Sequence, residues 1–194
     1  MKPMDENTPI RKQLFSVPNL MGYFRILLIP LIVWRYVTAQ TVTDYYVAAA
    51  IIGFSGITDL LDGLIARKFH QVTRVGKVLD PVADKLTQAA IIVALATRYK
   101  LIVILIALFI VKEGYMAIMG AKMLKKGKML DGAMMCGKIC TAALYIVMFI
   151  LILVPHIKMA ISNTLILSCI ALMIYSFVTY IKIYNNMAKN IDKQ

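Results

Sequence analysis

Charged residues are scarce in this chain, and acidic residues are scarcer still. Only 16% of the 194 residues are charged, and 10 Asp and Glu stand against 22 Lys and Arg. Hydrophobic residues make up 60%, and the mean hydropathy is +0.75. This composition is far from that of a soluble globular domain, and it predicts an all-α protein embedded in a membrane.

Cysteine and histidine are also rare, which argues against two kinds of site. Cys136, Cys140 and Cys169 fall in apolar segments, where a free thiol packs as a small apolar side chain. A disulfide framework is not expected in a bundle that faces the cytoplasm. His70 and His156 fall on opposite sides of the membrane in the topology that the basic residues indicate, so a soft-metal site lacks ligands.

Apolar segments follow one another along the chain, each close to the roughly 20 residues that a membrane-spanning helix needs. They predict a six-transmembrane-helix bundle. No repeat or long linker interrupts it, so we expect one membrane domain, residues 19–194, after an N-terminal juxtamembrane arm, residues 1–18. The predicted spans are 19–39, 44–66, 78–98, 100–122, 134–155 and 160–184.

Basic residues are unevenly distributed between these spans. They are frequent before the first span, between the second and third, between the fourth and fifth, and after the sixth. The positive-inside rule then places both termini and the loop between spans two and three in the cytoplasm. Because this topology and anionic lipid headgroups account for the net charge of +12, no nucleic-acid partner is expected.

Four acidic residues lie at the predicted cytoplasmic ends of spans two and three. Asp59 and Asp62 are three positions apart, and Asp80 and Asp84 are four apart, so each pair shares one helical face. A carboxylate inside a membrane helix costs about 2.5 to 3.5 kcal/mol on insertion scales, so four together indicate a function. Carboxylate oxygens suit Mg²⁺ or Mn²⁺, and two such ions can clamp a phosphoryl group. The pattern therefore predicts a metal site acting on phosphate, with Asp59, Asp62 and Asp80 as ligands.

The spacing around these acids resembles the signature of the CDP-alcohol phosphatidyltransferase family. All eight positions of the signature match, including the eight-residue gap in its middle. The resemblance extends to residues 17–20, 24–25 and 137–141, where the chain is similar to bacterial phosphatidylglycerophosphate synthases and their cardiolipin synthase relatives. The matching signature positions are Asp59, Asp62, Gly63, Ala66, Arg67, Gly76, Asp80 and Asp84.

The resemblance implies transfer of a phosphatidyl group from CDP-diacylglycerol to an alcohol, with release of CMP. The topology predicts that the active site lies at the cytoplasmic face of the cell membrane. The resemblance also implies a homodimer, and it implies that Asp84 shares the metal site and acts as the general base. Small side chains beside the acids would leave room for the nucleotide, and an arginine fork suits a phosphate. The residues expected to bind CDP-diacylglycerol are Asp59, Gly63, Ala66, Arg67 and Gly76.

The sequence leaves the alcohol acceptor open. Arg74, Lys112 and Lys138 are candidates for holding the phosphate of glycerol 3-phosphate. Family members that use this acceptor usually have Arg-Glu in span four and a second Arg about two turns later, where this chain has Lys112-Glu113 and Gly120. Glycerol 3-phosphate is the expected acceptor, and phosphatidylglycerol, the acceptor of a cardiolipin synthase, is the alternative.

A protein of another class can also carry acids inside the membrane. Such carboxylates mark ion paths in cation transporters and channels. Transporters often show corresponding broken helices in both halves of the chain. Here all four acids of the site fall in the first half, so an enzyme is the main hypothesis and a cation transporter or channel is the alternative.

Overall fold

The computed structural model describes residues 9–69, 73–125 and 134–191, and this part of the chain is helical with no strand. The chain divides into two compact units, residues 1–94 and 95–194. Seven helices are described: α1 (Ile10–Leu14), α2 (Val17–Val37), α3 (Val42–Lys68), α4 (Arg74–Ala96), α5 (Ile102–Lys125), α6 (Met135–Leu153) and α7 (Met159–Ile191).

Five of these helices, α2, α3, α5, α6 and α7, are long and apolar enough to cross a membrane. The prediction of an all-helical protein with helices that could span a membrane is therefore confirmed. The remaining predicted span falls on α4, which is helical but carries charged residues along its first half. Six spans and cytoplasmic termini stay predictions.

The helix ends differ from the predicted ones by several residues. Helix α4 begins at Arg74 rather than 78, and α7 continues to Ile191 rather than ending at 184. Hydropathy locates the part of a helix that lies in lipid, whereas backbone hydrogen bonds continue through polar residues beyond it. The predicted arm, 1–18, contains the short helix α1 and the first two residues of α2, and its residues 1–8 lie outside the described part.

Helices α2 and α3 form an antiparallel hairpin. Its turn is closed by a capping box, in which Thr41 Oγ1 accepts from the Asp44 amide at 3.3 Å and Asp44 Oδ2 accepts from the Thr41 amide at 3.0 Å. Arg35 Nη2 lies 3.5 Å from Asp44 Oδ1 across the turn. The local sequence therefore ends one helix and starts the next in a defined geometry.

Helices α2 and α3, which pack together, bury both large and small side chains. Ile32 and Tyr36 of α2 and Ala48, Ala49 and Ile52 of α3 are all buried. The two alanines let the helix backbones approach closely, as small residues do in membrane helix pairs. This contact sets which residues of α3 lie opposite the first half of α2.

A buried polar junction connects the starts of α2 and α4. The Asn19 side-chain amide donates to Gln13 O at 2.7 Å and to Thr73 Oγ1 at 3.2 Å. Thr73 Oγ1 also accepts from the Gly76 amide at 2.9 Å, which is the geometry of a helix N-cap. The first turn of α4 is thus held by the first turn of α2.

In the second unit, α5 and α6 both pack against α7. Tyr180 of α7 is buried, and its hydroxyl accepts from the Met134 amide at 3.2 Å. A Cβ atom at Gly137 would overlap that hydroxyl, so a glycine is needed where α6 passes Tyr180. The three cysteines are free thiols, and Cys140 and Cys169 are buried as small side chains.

Candidate active site

The two acids of α3 face a buried arginine of α2. Arg25 is 3% exposed, and its guanidinium Nη1 forms an ion pair with Asp59 Oδ1. Its Nη2 lies 3.9 Å from Asp62 Oδ2. The Asp59 side chain is partly exposed, whereas that of Asp62 is buried. Because α2 and α3 run antiparallel, an arginine early in α2 meets acids late in α3.

Several polar atoms at this place have no hydrogen-bond partner. Among the residues that the structure describes, they include Arg25 Nε and Nη2, Asp62 Oδ2 and Ser55 Oγ, all buried. Ser55 lies one helical turn before Asp59, on the same face of α3. A buried polar atom left unpaired costs about 1 to 3 kcal/mol. A group of such atoms, donors and acceptors together, indicates a binding site for polar ligands.

Asp80 of α4 belongs to the same region of the first unit. Its charge acts on Asp62, and the charge of Arg25 acts on Asp80. A Cβ atom at Gly22 would lie 2.9 Å from Leu79 Cδ2 and 4.0 Å from Asp80 Oδ1, so this glycine lets α2 approach α4 beside the acid. Asp84 follows one turn later on α4 and is partly buried.

The donor atoms suit a hard cation. Carboxylate oxygens prefer Mg²⁺ or Mn²⁺, and the unpaired, buried Asp62 Oδ2 is such an oxygen. However, no three His, Cys, Asp or Glu side chains in residues 9–69, 73–125 and 134–191 are grouped so that they could hold a metal ion. The structure instead provides the Arg25 guanidinium as a positive charge beside the acids. The assignment of Asp59, Asp62, Asp80 and Asp84 as metal ligands stays a prediction.

The residues predicted to contact CDP-diacylglycerol lie in different surroundings. The space beside Gly63 is open, because a Cβ atom there would have only Arg67 Nη2 within 4 Å, at 3.9 Å. Ala66 is partly buried and Arg67 is exposed in the last turn of α3. Gly76 is buried, and a Cβ atom there would lie 2.8 Å from Asn19 Oδ1. Packing against Asn19 therefore explains this glycine without any nucleotide.

The basic residues proposed for the acceptor phosphate differ in exposure. Lys112 is buried in α5, and its Nζ lies 2.7 Å from Glu113 Oε1. Lys138 is exposed in the first turn of α6. Arg74 begins α4, and its side chain lies outside the described part of the chain. A Cβ atom at Gly120 would lie 3.5 Å from the Tyr184 hydroxyl.

Arg25 has no predicted role beyond its place in the family resemblance over residues 24–25. The sequence does contain a sign that Arg25 has a function. Arg25 lies inside a 21-residue apolar helix, where a charge is costly without a partner. Its partner was not evident, because Asp59 is far away in the sequence and spacing within one helix does not reveal contacts with another.

These features define a multi-helix membrane protein with paired carboxylates and a buried arginine within one helical unit. The family model of the CDP-alcohol phosphatidyltransferases matches residues 15–182, and the chain belongs to this family. The matched region covers nearly all of the described helices.

Individual relatives are similar over shorter stretches. The chain is 40% identical over 106 residues to a cardiolipin synthase (CMP-forming)/mitochondrial hydrolase fusion protein of Schizosaccharomyces pombe, covering 54% of this chain and 17% of the relative. It is 38% identical over 93 residues to a probable cardiolipin synthase (CMP-forming) of Drosophila melanogaster, covering 47% and 28%. It is 39% identical over 85 residues to the CDP-diacylglycerol–glycerol-3-phosphate 3-phosphatidyltransferase of Escherichia coli K12, covering 44% and 46%. The matched segments thus span less than half of each relative.

Proposed function

We propose that this protein transfers a phosphatidyl group from CDP-diacylglycerol to an alcohol and releases CMP. The observation that carries the proposal is the complete eight-position signature, four of whose positions are acidic, which lies on α3 and α4 of one unit and within the family match. The juxtaposition of Asp59, Asp62 and Asp80 around Arg25 supports it. With divalent cations on these acids, the site would suit a substrate with a pyrophosphate.

The roles of the acids follow from the reaction. Asp59, Asp62, Asp80 and Asp84 would hold two Mg²⁺ or Mn²⁺ ions, which would neutralise charge on the attacking and leaving oxygens. The new bond joins the acceptor oxygen to the phosphorus that carries the diacylglycerol. The bond from this phosphorus to the CMP oxygen breaks, and Asp84 accepts the proton of the acceptor hydroxyl.

The substrate is amphipathic, and so is the proposed site. Leu27 of α2 and Leu60 of α3 are 73% and 68% exposed, which suits contact with lipid chains. Arg67 at the end of α3 would hold a phosphate of the nucleotide, beside the open Gly63. With the basic residues on the cytoplasmic side, this end of α3 would face the cytoplasm, where CDP-lipid headgroups and soluble acceptors meet.

Glycerol 3-phosphate is our first choice of acceptor. The similarity to the Escherichia coli enzyme, whose name includes this acceptor, supports the choice. Lys112 and Lys138, with Arg74, are the residues proposed to bind its phosphate. Phosphatidylglycerol is the second choice, supported by the cardiolipin synthase relatives and by Gly120, which lies beside the Tyr184 hydroxyl.

A reconstitution experiment tests the proposal. The purified protein in lipid vesicles is given CDP-diacylglycerol, Mg²⁺ or Mn²⁺, and one acceptor: glycerol 3-phosphate, phosphatidylglycerol, inositol phosphate or serine. We expect CMP to appear only when metal and the right acceptor are both present, and the lipid product identifies that acceptor. Metal uptake into vesicles without CMP release would reject the enzyme in favour of a cation transporter or channel.

We also propose that the protein is a homodimer with a complete site in each protomer. The proposal rests on the resemblance to the family, and all four acids of each site would come from one chain. Crosslinking and mass measurement in detergent and in lipid test it. A monomer at every concentration in both media would contradict the dimer and leave the proposed chemistry standing.

A further inference from the structure

A buried ion pair lies inside the apolar helix α5 of the second unit. Lys112 is 3% exposed, and its Nζ donates to Glu113 Oε1 at 2.7 Å. Consecutive side chains of a helix point in different directions, so this contact requires both side chains to bend toward each other. The Glu113 side chain is 20% exposed, so the pair reaches the surface of the unit. Charged residues inside a membrane helix are costly, and they usually mark a functional site.

Helix α7 packs against α5 beside this ion pair. Ring contacts show which part of α7 lies there. Tyr115, in the next turn of α5, packs edge-on against Phe177 and Tyr184 of α7, with ring centroids 5.5 and 6.2 Å apart. Tyr180 lies between these two residues in the sequence, and its hydroxyl is close enough to the ion pair for both charges to act on it. The ion pair and Tyr180 therefore form one cluster.

A serine on the same face of α7 adds a second hydroxyl. Ser176 lies one turn before Tyr180, and the two residues are 1% and 2% exposed. Serine and threonine hydroxyls inside a helix commonly donate to a backbone carbonyl of the preceding turn, as Ser168 and Thr179 do on α7. Ser176 Oγ has no hydrogen-bond partner among the described residues. We call the residues Lys112, Glu113, Ser176 and Tyr180 the Lys112 cluster.

The Lys112 cluster has more hydrogen-bond donors than acceptors. An ammonium has three N–H donors and no acceptor, and within the described helices the donors of Lys112 have one partner, Glu113. The Tyr180 oxygen accepts from the Met134 amide at 3.2 Å, so its own O–H points elsewhere and can donate. The Ser176 hydroxyl is a further donor. Buried donors without acceptors are unfavourable, so the cluster suits a ligand with several acceptor oxygens.

We propose that the hydroxyls of Ser176 and Tyr180, together with the Lys112 ammonium, bind a phosphate group of the acceptor. The ammonium supplies the charge, the hydroxyls supply directed hydrogen bonds to the phosphate oxygens, and Glu113 positions the ammonium. Both acceptors considered above carry such a group. Glycerol 3-phosphate presents it as a soluble phosphomonoester, and phosphatidylglycerol presents it as a phosphodiester in the lipid. The choice of these two phosphates rests on the proposed function, whereas the capacity of the cluster for phosphate does not.

Binding of glycerol 3-phosphate to the purified protein in detergent, with EDTA and without CDP-diacylglycerol, tests the proposal. Ser176→Ala removes one donor to a charged oxygen, so we expect the Kd measured by calorimetry to rise about tenfold. The same change removes an unpaired buried hydroxyl, so the unfolding temperature without ligand should stay the same or rise. A serine with a purely structural role predicts unchanged binding.

Tyr180→Phe is the second variant. It should also raise the Kd about tenfold, but with a lower unfolding temperature, because the Met134 amide loses its acceptor. Ser168→Ala and Tyr175→Phe are the matched controls, since both residues are exposed on the same helix. Their Kd values should equal that of the wild type.

Short-chain phosphatidylglycerol, titrated into the same samples, is the second arm of the experiment. Weaker binding of glycerol 3-phosphate to Ser176→Ala would identify a soluble phosphomonoester as the ligand, and weaker binding of phosphatidylglycerol alone would identify the lipid phosphodiester. Equal affinities of Ser176→Ala and the wild type for both ligands would overturn the proposal, as would failure of the wild type to bind either. Phosphate binding that depends on Ser176, together with no CMP release from any acceptor, would keep this inference and reject the proposed function.

Discussion

The side-chain amide of Asn19 donates a hydrogen bond to Thr73 Oγ1, at 3.2 Å, and this bond joins α2 to the residue before α4. Both residues are buried. Since Thr73 also caps α4 through the Gly76 amide, the position of α4 depends on the first turn of α2. Asp80 lies one turn beyond Gly76, so this junction positions an acid of the proposed site.

Gly76→Ala is expected to destabilise the protein and to lower its activity. The added Cβ atom would lie 2.8 Å from Asn19 Oδ1 and 3.1 Å from Thr73 Oγ1, so the junction has to shift. Overpacking of this kind costs about 1 to 3 kcal/mol. The free energy of unfolding in detergent and the rate of CMP release should both fall.

Gly56→Ala is the control for that substitution. Gly56 lies in α3, and no atom outside its own backbone surroundings would come within 4 Å of the new Cβ. Alanine has a helix propensity about 1 kcal/mol better than glycine, so the variant should be as stable as the wild type or more stable. Equal losses in both variants would show that the Asn19 contact is not the cause.

Replacing any one of Asp59, Asp62 and Asp80 by asparagine is expected to abolish turnover while the protein still inserts and purifies. Each change removes a charged oxygen from a site proposed to hold hard cations. Addition of EDTA to the wild type should have the same effect, and Mn²⁺ should reverse it. CMP release is the measurement, and substantial activity of Asp62→Asn at ordinary Mg²⁺ would refute the assignment.

Asp44→Asn is the matched control for the acids. Asp44 lies on α3, as Asp59 and Asp62 do, but it belongs to the capping box with Thr41. Loss of a cap typically costs about 1 kcal/mol of stability. We expect a slightly lower unfolding temperature and an unchanged turnover number.

Asp84→Asn separates the general base from the metal ligands. If Asp84 mainly accepts the acceptor proton, the variant should still bind Mn²⁺ and CDP-diacylglycerol but lose transfer. Binding is measured by calorimetry in detergent, and chemistry by single-turnover CMP release. Loss of Mn²⁺ binding to the degree seen with Asp62→Asn would instead make Asp84 chiefly a metal ligand.

Gly137→Ala is expected to destabilise the second unit, because its Cβ atom would overlap the Tyr180 hydroxyl. Tyr180→Phe removes that hydroxyl and should restore part of the lost stability, although it also removes the acceptor for the Met134 amide. The two changes should therefore be non-additive in a double-mutant cycle of unfolding free energies. Gly114→Ala, with no neighbour within 4 Å of its Cβ, should be as stable as the wild type or more stable. Additive effects of the pair would contradict the contact.

Most of the helices were predictable because each one depends on a local property. An apolar segment of sufficient length predicts a membrane helix wherever it packs, and each of the six long helices overlaps one predicted span. The acid pairs were predictable for the same reason, since residues three or four positions apart share a helical face. The start of α4 and the end of α7 were not predictable, because these helices extend beyond their apolar segments.

The sequence by itself determined the membrane class, the helices and the two acid pairs, because composition, hydropathy and helical periodicity are local quantities. Only the tertiary structure decided that Arg25 pairs with Asp59 and that Gly76 packs against Asn19. Both contacts join different helices, and their register depends on how closely the side chains between those helices allow the backbones to approach. The spacing of residues along one helix contains no information about that distance.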